Sequence, residues 1–112
     1  MYAERTRHVD ESEEDGYHYE YDFYRFTDGA LCFVARSYVE DAGEAHFLRA
    51  ERRGRPRYLR AADLRHPLFL AALDHLRGEG KMRHAWLCPR TSRYRDVSDA
   101  GPPWWRWPWR HG

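Results

Sequence analysis

Between Tyr17 and Val39 the chain reads YHYEYDFYRFTDGALCFVARSYV, two runs rich in rings and β-branched side chains on either side of an Asp-Gly pair. Strict alternation over such runs, broken by residues that tolerate positive φ, is the signature of a β-hairpin. With Asp28 and Gly29 as the loop, Thr27 faces Ala30, Phe26 faces Leu31 and Tyr24 faces Phe33. Glu40 to Gly43 then reads as a turn into a third strand, Glu44 to Arg52, in which Val39 faces Glu44, Ala35 faces Leu48 and Phe33 faces Ala50.

A three-stranded meander in that register has two distinguishable faces. One gathers Tyr24, Phe26, Leu31, Phe33, Ala35, Leu48 and Ala50, with His18, Glu20, Asp22, Ser37, Glu44 and His46 at its far end. The other presents Tyr17, Tyr19, Tyr21, Phe23, Val34, Tyr38 and Phe47, interleaved with Arg25, Arg36 and Arg49. Pro67 suits a first helical position and Gly78-Glu79-Gly80 a stop, so a helix is expected between them. Its stripe Leu68, Phe69, Ala72, Leu73 and Leu76 calls for a sheet to cover. Lys81 to Cys88 alternates as a fourth strand, ended by Pro89.

The fold class expected is therefore α+β, an antiparallel sheet of about four strands with one main helix on one face. A chain of 112 residues holds one such domain and no second core. Residues 17–88 are assigned to it. Residues 1–16, with six acids against two bases, read as a flexible acidic leader. Residues 89–112 read as a tail ending in GPPWWRWPWRHG, where the prolines oppose both helix and central strand.

Charge narrows the function classes. The net formal charge is +1, so no global field favours nucleic acid or membrane. Locally, residues 49–65 carry seven arginines against Glu51 and Asp63. Lys81 is the lone lysine in the chain, a bias that a GC-rich genome produces without any demand for guanidinium chemistry. No apolar run approaches a membrane span or a secretion signal, which points to the cytoplasm and to two reduced, buried thiols at Cys32 and Cys88.

Three functions compete. Rings and guanidinium groups are the side chains favoured at protein interfaces. They make Tyr19, Tyr21, Arg36, Tyr38, Phe47 and Arg49, with Trp104, Trp105, Trp107 and Trp109 of the tail, the expected contact residues of a non-enzymatic interaction module, most simply a homodimer. Alternatively, Arg52, Arg53, Arg55, Arg57 and Arg60 could collect phosphates of a nucleic acid. The third reading is a hydrolytic or metal-dependent enzyme built on His18, Glu20, Ser37 and His46. Against it, flat cross-strand neighbours lack a nucleophile elbow and an oxyanion hole, and no CxxC or HExxH spacing occurs. No glycine-rich phosphate loop or other cofactor motif is present, so no cofactor is expected.

Overall fold

A computed structural model describes residues 1–99, and Trp104, Trp105, Trp107 and Trp109 lie outside them. The described chain is α+β, as expected: one helix lies against one face of a mostly antiparallel sheet, but that sheet has seven strands rather than about four. The strands are β1 (Tyr2–Ser12), β2 (Tyr17–Asp28), β3 (Leu31–Tyr38), β4 (Glu44–Arg52), β5 (Arg55–Arg57), β6 (Arg83–Cys88) and β7 (Arg93–Asp96). Helix α1 spans Pro67–Gly78. The spatial order is β1-β2-β3-β4-β6-β7, with the short β5 paired to β4 as well.

Four expectations are corrected. The supposed leader is a strand: β1 pairs with β2 over eleven positions, from Tyr2 opposite Thr27 to Ser12 opposite Tyr17. A turn at Glu13 to Gly16 joins them, with Gly16 at φ +71° and its N–H donated to the Ser12 carbonyl at 2.8 Å. Part of the supposed tail, Arg93–Asp96, is likewise β7, the outer strand beside β6. The β2–β3 loop is Gly29-Ala30 rather than Asp28-Gly29, so Phe26 faces Phe33 and Tyr24 faces Ala35. Positive φ falls on Gly29 alone, the pattern of a turn with glycine at its first central position. Because the slip is by two residues, every side chain keeps its predicted face.

The fourth correction changes a face. Phe33 opposite Ala50 and Val34 opposite Arg49 follow the expected register, but Ala35 then faces Phe47 and Arg36 faces His46. Leu48 is the extra residue of a β-bulge. Beyond a bulge the alternation resumes out of phase, so Phe47 turns inward and His46 outward.

Helix α1 starts where proline permits it. His66 Nδ1 accepts the Leu68 N–H at 3.0 Å, one of the donors a helix start leaves unpaired. At the other end, Gly80 adopts φ +86° while the Lys81 N–H reaches back to the Leu76 carbonyl at 2.9 Å. Leu68, Phe69, Ala72, Leu73 and Leu76 face the sheet, buried against Tyr24, Phe26, Phe33, Ala35, Phe47 and Ala50. Phe69 anchors this layer, its ring centroid 4.4 Å from that of Phe47 and 5.3 Å from that of Phe33. Since the helix carries the chain back across the sheet, β6 enters parallel to β4, the one parallel pairing among the described strands.

Candidate aromatic and arginine face

Helix α1 covers one side of the sheet; on the other, Tyr17 and Tyr19 are exposed, Tyr21, Phe23, Arg36 and Tyr38 are partly so, and Val34 is buried. On that open side β2 contributes Tyr17, Tyr19, Tyr21 and Phe23, and β3 contributes Arg36 and Tyr38, because successive strand residues alternate faces. Cross-strand pairing adds His8 from β1, opposite Tyr21. The bulge delivers His46 from β4, opposite Arg36. From β7 comes Tyr94, opposite Leu87.

These side chains touch one another in a belt that crosses the strands. His8 stacks on Tyr21 with centroids 5.5 Å apart and rings 11° from parallel. Tyr21 meets Tyr38 edge to face at 5.7 Å, and Tyr19 lies 5.8 Å from Tyr38. The Arg36 guanidinium sits over Tyr38 at 4.9 Å and over Tyr21 at 5.7 Å, and it donates to the Tyr94 hydroxyl at 3.4 Å. Tyr94 stacks on His46 at 4.6 Å. Ala85, paired with His46 on the strand between them, is small enough to leave that contact open.

A second row lies beside the belt. Arg49 rests over the Phe23 ring at 5.8 Å, and Glu51 accepts from Arg25 at 2.7 Å and from Arg49 at 3.0 Å. The Arg25 guanidinium, with Arg49 behind it, holds the Glu51 carboxyl below the usual carboxylate range against the opposing effect of burial. Among the described residues Arg36 has no such acid. Its Nε is buried and has no hydrogen-bond partner, so its charge is balanced by ring faces rather than by a carboxylate. Near the same side, Leu48, Arg49, Pro56, Arg57 and Tyr58 line a hollow of about 430 Å³.

Of the expected contact residues, Tyr19, Tyr21, Arg36, Tyr38 and Arg49 lie together on this face. Phe47 does not: fully buried beneath Phe69, it belongs to the core. Sequence reasoning missed His8 and Tyr94, which reach the face through a strand with no apolar pattern and an outer strand read as tail, and it set His46 on the helix side, because the bulge that turns it outward leaves no mark in the sequence.

The five arginines of the basic cluster are divided. Arg57 donates to both Asp63 oxygens, at 2.8 and 2.9 Å, and is thereby spent on fixing the segment before α1. Arg52 and Arg55 face each other across the β4–β5 turn, with Arg53 between them at φ 53°, and all three are exposed. Arg60 is exposed on the segment that follows.

The proposed catalytic set is not brought together. His18 pairs with Glu11 at 2.9 Å on the exposed end of β2, and Glu20 accepts from Arg7 at 2.6 Å. Ser37 is buried on the helix side, donating to the Glu44 carbonyl at 2.6 Å. The bulge puts His46 on the opposite face, hydrogen-bonded to Glu44. Among the described residues no three His, Cys, Asp or Glu side chains converge in a way that could hold a metal ion. Cys32 and Cys88 are free and buried. Among the described residues no helix is long and apolar enough to cross a membrane. No protein family, curated protein or solved structure matches this chain.

Proposed function

We propose that this chain is a non-enzymatic protein-interaction module of the cytoplasm, working as a homodimer that offers its aromatic and arginine face, together with the Trp-rich tail, to a protein partner. The belt from His8 to Tyr94 carries the reading. A sheet side left bare by its own helix would ordinarily be polar, whereas this one holds stacked rings around a guanidinium that no described carboxylate pairs. Stacking limits the motion of those rings before any partner arrives, which lowers the entropic cost of docking.

Arg36→Glu combined with Tyr38→Ala tests it. Both side chains are partly exposed and lie outside the core cluster, so the circular dichroism spectrum is expected to stay that of the folded wild type, while capture of a protein partner falls at least about tenfold, the loss of one interface anchor. Leu70→Ala, on the exposed side of α1, serves as the control and is expected to leave capture unchanged. Equal capture by all three chains would remove the open face as the contact surface.

A nucleic-acid reading keeps one supporting observation, the exposed trio Arg52, Arg53 and Arg55 at the β4–β5 turn. It predicts a gel shift with single-stranded oligonucleotides at low salt that weakens steeply as salt rises and vanishes when the trio is replaced by alanine. Absence of a shift at low salt would dismiss it.

A further inference from the structure

Among the described strands β1 is the outer edge of the sheet, so alternate backbone N–H and C=O groups along its eleven residues lack a described strand partner on that side. Edges of this length usually carry charges that keep other strands away. The charges here have an order that does the opposite. Around Val9 the sequence runs Thr6-Arg7-His8-Val9-Asp10-Glu11-Ser12, in which each position to one side mirrors a complementary one to the other.

Two copies of an edge strand pair antiparallel only about a two-fold axis normal to the sheet, and then residues of like parity face each other. With Val9 on the axis, Arg7 faces Glu11 of the second copy, His8 faces Asp10, and Thr6 faces Ser12. Each hetero-pair occurs twice. Moving the register by two residues in one direction sets His8 on the axis against itself, and moving it by four sets Arg7 against itself, with Glu4 against Asp10. Moving it by two residues in the other direction sets Asp10 against itself. Among these arrangements, the one centred on Val9 pairs every charged residue in the overlap with an opposite charge once His8 is protonated, and leaves no like-charge pair.

We infer that the homodimer forms by antiparallel pairing of two β1 edges centred on Val9. This names the surface for the dimer proposed above and rests on that reading. Val9 is exposed, with half its surface open, and its face of the strand carries Arg7 and Glu11 alongside. The intramolecular partners do not compete for space. Arg7 holds Asp22 at 2.7 Å and His18 holds Glu11 at 2.9 Å on the β2 side, whereas the second copy approaches from the opposite side of the strand. Charges would thus alternate across the seam in the order Asp22, Arg7, Glu11 of the second copy, His18 of the second copy. An axis normal to the sheet also turns both open faces the same way, doubling the aromatic surface that one partner can meet.

Val9→Cys tests the register in the full chain. Opposed residues of an antiparallel pair have Cα atoms about 4.5–5.5 Å apart, within disulfide range. Under mild oxidation Val9→Cys is expected to pass largely into a cross-linked dimer. Thr6→Cys, whose counterpart is Ser12, is expected to stay un-cross-linked, and the native thiols are buried. Glu11→Arg is expected to shift light scattering toward monomer, with a smaller shift at high salt. Wild type that dimerises while Val9→Cys fails to cross-link overturns the edge contact and leaves the dimer standing. Monomeric wild type overturns both.

Discussion

Phe47→Ala is expected to cost about 3–5 kcal/mol, a large share of the roughly 5–15 kcal/mol that holds a domain of this size folded. The ring is fully buried, 4.4 Å from Phe69 and 6.3 Å from Phe26, so truncation opens a void between helix and sheet where all three meet. Leu48→Ala, one residue along, removes a side chain only partly buried at the bulge and is expected to cost about 1 kcal/mol or less. Urea unfolding of the two variants decides between registers. An unbulged strand would place Leu48 in the core and Phe47 outside, and would therefore reverse the order of the two losses.

That contrast marks where the sequence was readable. The helix from Pro67 to Gly78 and the apolar sides of β2 and β3 follow from periodicity, proline and glycine, because burial against a single partner writes a clean pattern. Strand β1 writes none. It meets the helix layer only at Ala3 and through the Arg5–Glu79 pair at the end of α1, so neither of its sides needs to be apolar, and nearly all of its residues are exposed. Backbone pairing and the links from Arg7 to Asp22 and Glu20 hold it in place. A bulge is equally silent, since His46-Phe47-Leu48 satisfies an alternating pattern in either phase. The open face was therefore half legible: the residues of β2 and β3 could be placed on it, whereas His46 required the bulge, and His8 and Tyr94 required strands that periodicity does not reveal.

Asp63→Asn carries the second large expected loss, and its pH dependence separates it from a general weakening of the fold. One Asp63 oxygen accepts from Arg57 at 2.8 Å and from the Arg60 backbone N–H at 2.8 Å, and the other accepts from Arg57 at 2.9 Å. Burial alone would raise this carboxyl, but the Arg57 guanidinium and the Arg60 N–H outweigh it and hold the group below the usual aspartate range. An amide keeps one acceptor and turns two donors toward Arg57. At neutral pH the cost is expected to be about 2–3 kcal/mol, less than for a fully buried pair because a quarter of the Arg57 side chain is open to solvent. A carboxyl depressed in the folded state stabilises fully above its unfolded value of about 3.9, and that contribution fades as pH falls through the lower folded value. Wild type and Asp63→Asn should therefore differ most at pH 7, remain apart at pH 5, and converge below pH 4 as the wild-type carboxyl takes up its proton. Glu44, Glu51 and Glu79 are depressed in the same direction, so both chains lose stability in acid, and only the gap between them reports on Asp63. Urea midpoints at these pH values measure that gap; a constant difference from pH 7 to pH 3 would mean that the side chain's shape, and not its charge, joins Arg57 to the segment before α1.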